Sequence, residues 1–301
     1  MKKVYITGIA GLLGSNLVNI LQQNYQVYGA DIVDVGFANV NYDHIDLSNV
    51  NELRQSILTY KPDVLIHTVA IVNVDLCEED VNLAERINVI LTKNIYEICE
   101  ENHIKMIYIS SDSVFDGTSE KLYDEQDKVG PLNVYAKTKY EGECWTLKNK
   151  NNLVLRTNIY GLNLQKKNSF GEWVINELEQ DHEINMFTDI DFSPILVTDL
   201  ACIIDKCIQN SLCGLYHVCA TGAITKYEFG VYLKEQFGIK SGIIKKNTSD
   251  VAHFKAQRPK HMGLSNKKIC DDLKLSIRTP RESIDEFMKQ VNAVRGKKYG
   301  N

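Results

Sequence analysis

Residues 3–14 read KVYITGIAGLLG, and this stretch decides the fold. A short apolar run, Val4 to Thr7, reads as a strand, and Gly8, Gly11 and Gly14 follow it at three-residue spacing. The run beyond has helical period, with Leu12, Leu13, Leu17, Ile20 and Leu21 as the positions expected to be buried. Strand, glycine turn and helix occur in the order that a pyrophosphate site needs. Glycine allows the tight turn and the close backbone approach, and the helix presents its positive end to the phosphates.

Working outward, the next apolar run, QVYGAD, ends in Asp31, 23 residues beyond Gly8. A carboxylate there is placed to accept hydrogen bonds from the adenosine ribose hydroxyls of a dinucleotide. It would repel a 2′-phosphate, and Val4 to Leu53 contains no Lys or Arg to compensate. NAD(H) is therefore expected over NADP(H). Apolar runs then alternate with helical stretches: 49–60, DVLIHTVA, 81–102, KMIYISS, 134–149 and NLVLRTN. Strands apolar on both faces and separated by helices predict an α/β fold, a doubly wound Rossmann-type parallel sheet covered on each side. Residues 1–161 are expected to form the dinucleotide-binding domain, rejoined by about 194–220 through GLYHVCA. Residues 162–193 and 221–301 have weaker alternation and are assigned to a smaller C-terminal α/β lobe for substrate.

Bulk properties narrow the function. The chain has 301 residues, 44% hydrophobic and 24% charged, enough to bury a full core. Net charge is −5 with Lys and Arg scattered, which argues against a nucleic-acid partner. There is no apolar run of membrane-spanning length and no secretory pattern at Met1-Lys2-Lys3, so the expected compartment is the cytoplasm and no membrane association is expected. The eight cysteines include no CxxC pair; Cys202, Cys207, Cys213 and Cys219 lack metal-site spacing and are read as buried structural thiols, with no metal expected.

The chemistry-bearing residues lie past the middle of the sheet. Ser111 ends the strand MIYISS and should stand at the carboxyl edge, where ligands of such sheets bind. Tyr135 and Lys139 are four apart in VYAKTK and share a helix face. A neighbouring ammonium is expected to favour the phenolate of Tyr135, letting it exchange a proton with a substrate oxygen near neutral pH. Ser111 would hydrogen-bond the same oxygen.

These residues, with TGIAGLLG, HTVA at 67–70, Asn88-Val89, SSD at 110–112, PLNVYAKTK, LRTNIYG and SPILVTDLA, closely resemble the extended short-chain dehydrogenase/reductases that act on nucleotide-activated sugars. The resemblance spans nearly the whole chain. It implies that Asp46 and Leu47 contact the adenine, that Ala70, Ile71 and Val72 pass beside the cofactor, and that Asn88 organises the active-site helix. It also implies a homodimer joined through the helices near 83–102 and 134–149. SVFDG, Val74-Asp75 with Glu78, Tyr227-Glu228-Phe229 and Arg258-Pro259 resemble the dTDP-4-dehydrorhamnose reductase branch. Ser111, Asp112, Tyr135, Asn158 and Arg258 then become the expected substrate-side residues, Arg258 on the diphosphate.

Two departures stand out. Ser113 replaces the branch's usual Tyr, and LRTNIYG is shorter than LRTSWVYG and lacks its Trp. Phe170 and Trp173 are either base-stacking residues or lobe core. The expected activity is reduction of a 4-keto-6-deoxy sugar nucleotide by NADH. The alternatives are a redox-neutral sugar-nucleotide epimerase and a non-catalytic subunit resembling the regulatory β-subunit of methionine adenosyltransferase. A dehydratase is disfavoured because Ser113, not an acid pair, follows Asp112.

Overall fold

The computed structural model describes residues 1–34, 36–37, 40–164, 168–251 and 254–299. β1 (Lys3–Thr7) shows why the sheet is buried on both sides. Val4 and Ile6 point to one face and Tyr5 to the other, and all three are fully buried. The same division runs through β2 (Gln26–Asp31), β4 (Val64–His67), β5 (Lys105–Ser111) and β6 (Leu153–Thr157). With β3 (Asn41–His44) and β11 (Gly214–His217) they form a seven-stranded parallel sheet in the order β11-β6-β5-β4-β1-β2-β3. Strand order turns away on both sides of β1, so the crevice between β1 and β4 is the topological switch point of a doubly wound fold.

One face is covered by α1 (Leu12–Leu21) and α8 (Val197–Gln209), whose Leu17, Leu21, Leu200 and Ile204 pack on Ile6, Ile66, Ile107 and Leu155. The other is covered by α2 (Val50–Tyr60), α5 (Leu91–Glu101) and α6 (Val134–Thr146), through Leu53, Ile57, Leu91, Ile95 and Ile98 on Tyr5, Leu65 and Met106. The helical run from 74 to 101 is broken into α3 (Val74–Glu79), α4 (Val81–Ala84), a π-helical turn over Glu85–Ile90, and α5. β3 escaped the sequence reading because NYDH is a short, polar edge strand with no apolar alternation to mark it.

Most of the remaining elements gather around a second apolar core. This lobe core, including Val174, Ile175, Leu178, Phe192, Phe229, Leu233 and Phe287, gathers α7 (Phe170–Glu179), α9 (Lys226–Gln236) and α11 (Pro280–Tyr299). Short strands knit it: β7 (Ile159–Tyr160) with β10 (Ile195–Leu196), β8 (Glu183–Phe187) with β13 (Ile243–Asn247), and β9 (Asp191–Phe192) between β12 (Ile224–Thr225) and β14 (His261–Met262). α10 (Lys267–Leu273) packs beside β11.

The cysteine expectation needs correction. Cys207 and Cys219 are buried, but Cys202 and Cys213 are exposed. Five residues along α8 rotate the side chain by about 140°, so Cys202 and Cys207 cannot share the buried face. Among the described residues no helix is long and apolar enough to cross a membrane, and no group of three or more His, Cys, Asp or Glu could hold a metal.

Candidate active site

The glycine turn makes a cradle that side chains would fill. Gly8 adopts φ +76°, and a Cβ there would lie 2.7 Å from Thr68 Oγ1 and 2.8 Å from Val69 Cγ2. At Gly14 a Cβ would lie 2.1 Å from the Gly8 carbonyl oxygen, so only glycine lets α1 pack this close to the turn. Gly11 is the N-cap of α1 and supplies no side-chain cap, leaving the first-turn N–H groups facing the turn; Leu12 is partly exposed and Leu13 buried. Asp31 is buried at the end of β2 and braces the cradle: Oδ2 accepts from Ala10 N–H at 2.9 Å and Oδ1 from Val33 N–H at 3.1 Å. Each oxygen keeps a lone pair for a ribose hydroxyl. This glycine cradle, carboxylate and open helix end fit a dinucleotide.

Ala70, Ile71 and Val72 lie in the loop after β4, on the other side of the crevice, with Val72 59% exposed. Asn88, fully buried in the π-turn, holds that loop and α6 together. Its Oδ1 accepts from Ile71 N–H at 2.8 Å, and its Nδ2 donates to the Ile71 carbonyl at 3.2 Å and to Thr138 Oγ1 at 3.0 Å. Asp46 accepts from the backbone and hydroxyl of Ser48, which hold its carboxyl below the usual range. Leu47 instead buries its side chain against the α2 layer. Leu47 can meet a ligand only through its backbone.

Ser111 is the last residue of β5. Its Oγ donates to Asp112 Oδ1 at 3.0 Å and accepts from Ser113 N–H at 3.2 Å. Tyr135 and Lys139 project from the buried face of α6, whose N-cap Asn133 accepts from Ala136 N–H and donates to the Gln257 carbonyl. Tyr135 stands near enough to Ser111 for that hydroxyl to favour its ionised form. Lys139 Nζ donates to the Ile109 carbonyl at 2.8 Å and stands 4.2 Å from the centre of the Tyr108 ring.

Burial, more than the neighbouring ammonium, governs the electrostatics here. Burial pushes the Tyr135 phenol up to about 12, the Ser111 hydrogen bond opposing and the charges of Asp112 and Cys77 adding. Burial likewise brings the Lys139 ammonium down to about 7, partly offset by Glu143. With its Nζ turned to Ile109 and its own charge disfavoured, Lys139 does not draw the phenol toward the phenolate. Tyr135 is held protonated, the state a proton donor needs.

Asp112 is buried, and burial raises its carboxyl; against this, Asn158 Nδ2 donates to Oδ2 at 2.6 Å, Lys226 contributes positive charge, and the Ser111 and Ser113 hydroxyls donate to Oδ1. The lobe supplies Lys226, first residue of α9, its ammonium 3.3 Å from the ring centre of Phe192 and 4.5 Å from that of Phe170. Burial lowers it to about 8, with Asp112 opposing. Sequence reading missed Lys226. The one signal was a cation at a helix start, where the dipole disfavours it. Phe170 belongs to the lobe core, stacked on Phe229, while Trp173 is 37% exposed beside it.

Arg258 is not a surface residue. Its side chain is 20% exposed, pairs with Asp75 at 3.1 Å, and leaves Nη1 buried without a partner among the described residues. Asp75 also accepts from Ala256 N–H, Lys255 pairs with Glu79, and Glu78 accepts from Val134 N–H at the start of α6. Asp75, Glu78 and Glu79 thus latch the segment carrying Arg258 against the active-site helix.

With this geometry in view, the relatives can be set beside it. A dTDP-4-dehydrorhamnose reductase from Bacillus anthracis str. Ames, solved in complex with NADP, is 29% identical with a TM-score of 0.87, covering 96% of this chain and 100% of that one. The spore coat polysaccharide biosynthesis protein SpsK of Bacillus subtilis is 29% identical over 295 residues, 96% of this chain and 98% of the relative. Methionine adenosyltransferase 2 subunit beta of Bos taurus is 29% identical over 312 residues, 95% of this chain and 88% of the relative. Residues 1–293 match the profile of the RmlD substrate binding domain, and the chain belongs to that family, within the extended short-chain dehydrogenase/reductases.

Proposed function

We propose that the protein is a nicotinamide-dependent reductase of a 4-keto-6-deoxy sugar nucleotide. The observation that carries this reading is the convergence of Ser111, Tyr135 and Lys139 at the carboxyl edge of the sheet, across the switch-point crevice from the Gly8–Gly14 cradle. The substrate carbonyl oxygen lies between the hydroxyls of Ser111 and Tyr135. A nicotinamide cofactor, when held by the Gly8–Gly14 cradle and Asp31, would supply hydride chemistry at the carbonyl carbon. As charge develops on the oxygen, Ser111 donates a hydrogen bond to it and Tyr135, kept protonated by burial, delivers its proton, so that ketone becomes alcohol. Lys139 would hold the nicotinamide ribose of a bound cofactor, Ala70 to Val72 would lie beside it, and Asp46 and the Leu47 backbone would meet its adenine. Arg258 would contact the substrate diphosphate, a role supported by its Nη1, which has no partner among the described residues.

Asp31 favours NADH over NADPH, since no Lys or Arg lies between Val4 and Leu53 to meet a 2′-phosphate. The Bacillus anthracis relative was solved with NADP, so the two cofactors are to be compared directly. A homodimer joined through α5 and α6 is the expected assembly. The test is oxidation of NADH and of NADPH by the purified chain with dTDP-4-keto-6-deoxyglucose and its rhamnose-type epimer. Consumption of NADH faster than NADPH supports both parts of the reading; none with either sugar removes it.

A second reading, a non-catalytic subunit serving a larger partner, is favoured by the 29% identity to the bovine methionine adenosyltransferase 2 subunit beta. Tight cofactor binding without turnover, together with a co-purifying methionine adenosyltransferase, would replace the reductase reading.

A further inference from the structure

Lys226 is oddly placed for a lysine with a purely structural role. It occupies the first turn of α9, where the helix dipole disfavours a cation, and its side chain is only partly exposed. Among the described residues its ammonium donates no hydrogen bond. It rests on the faces of Phe192 and Phe170, and the charge that supports it is that of Asp112, beyond hydrogen-bonding distance. An ammonium with no hydrogen-bond acceptor on the chain keeps its donors available to a ligand. Asp112, near enough for its charge to act on Lys226, accepts a hydrogen bond at 3.0 Å from Ser111, the residue placed to hold the reacting oxygen.

We propose that Lys226 is a substrate-positioning and specificity-determining residue: it donates a hydrogen bond to a sugar hydroxyl that itself donates to Asp112. This rests on the sugar-nucleotide reading above. A lysine ammonium can only donate and an ionised carboxylate can only accept, so the group that satisfies both must do both, which a hydroxyl does. An anionic substituent would face the Asp112 charge, and a deoxy carbon would leave the Lys226 ammonium without an acceptor, while Asp112 keeps its bonds from Asn158, Ser111 and Ser113. Because Asp112 adjoins Ser111, the hydroxyl belongs to a carbon next to the reacting one. Lys226 comes from the lobe and Asp112 from the sheet, so the hydroxyl also ties lobe to sheet.

The experiment is calorimetric titration of the NAD-loaded protein with dTDP-L-rhamnose and with dTDP alone, for the wild type, Lys226→Met and Lys226→Arg. The expected result is that Lys226→Met weakens dTDP-L-rhamnose by about tenfold or more and leaves dTDP unchanged, while Lys226→Arg keeps part of the sugar affinity. A dTDP-sugar lacking the hydroxyl next to the reacting carbon should bind wild type and Lys226→Met equally well. Lys226→Arg, which keeps a cation on the Phe192 and Phe170 rings, should melt close to the wild type, and any fall in the Lys226→Met midpoint measures the lost ring and Asp112 contacts separately from sugar affinity. Equal weakening of dTDP and dTDP-L-rhamnose, or no change in either, overturns the assignment while leaving the reductase reading in place. A wild-type protein that binds neither ligand overturns the substrate reading, and this inference with it.

Discussion

Asn158, the first residue after β6, donates from Nδ2 to Oδ2 of Asp112 at 2.6 Å, tying two neighbouring strand ends together inside the cleft. Burial raises the Asp112 carboxyl, and the Asn158 amide is the foremost of the groups that oppose this rise. Asn158→Ala should therefore lower kcat/KM for the sugar nucleotide by about 10- to 100-fold, the value of a charge-assisted hydrogen bond. The acid limb of the profile should move to higher pH, because a carboxyl raised further ionises only at higher pH. Asn158→Asp should move it more. A kcat/KM–pH profile of the three proteins checks both the size and the direction.

The glycine cradle makes a paired prediction. A Cβ at Gly14 would stand 2.1 Å from backbone, against 3.2 Å at Gly11. Gly14→Ala should abolish NADH binding and lower the thermal midpoint, whereas Gly11→Ala should fold normally with only a modest loss of affinity. Fluorescence titration with NADH and a thermal melt of each variant separate the two.

Lys139 links the site to stability. Its folded value, about 7, lies below its ordinary 10.5, so between those values the unfolded chain binds the proton that the folded chain has shed. Stability of the wild type relative to Lys139→Met, which cannot titrate, should therefore rise as pH increases through about 7. Below that range the ammonium is charged in both states and the full burial cost is felt. Denaturation midpoints at about pH 6 and about pH 9 should show the variant's relative advantage shrinking at the higher pH. A constant difference would contradict the assigned shift. Turnover should be lost in Lys139→Met at both.

Arg258 is held by Asp75, and its Nη1 has no partner among the described residues. Arg258→Lys should raise KM for the sugar nucleotide while NADH affinity stays unchanged, because a point charge cannot both pair with Asp75 and fork onto a diphosphate. Asp75→Asn should produce a milder version of the same effect by loosening the latch. Steady-state kinetics beside NADH titration reads this.

Much of this was legible from residues because local pattern and global fold agree. Gly8, Gly11 and Gly14 sit between a β1 buried on both faces and an amphipathic α1, and Tyr135 and Lys139 share a helix turn. What was hidden depended on tertiary contact. β3 is polar, so periodicity could not reveal it. The tyrosine's protonation follows from burial and from Lys139 reaching Ile109 instead, neither of which spacing encodes. Lys226 meets Asp112 across 114 residues of sequence, and Arg258 meets Asp75 across 183. Such partners become visible only once the chain is folded.

The most direct measurement follows the hydrogen itself. NADH carrying deuterium in the transferring position at C4 is supplied with the dTDP-4-keto-6-deoxy sugar, and the product is examined by mass spectrometry and NMR, with Tyr135→Phe as control. The account predicts one deuterium at sugar C4 for each NADH consumed, with the rate falling by about 100-fold or more in the control. A product without deuterium, or a sugar epimerised while the cofactor is returned unchanged, would contradict it.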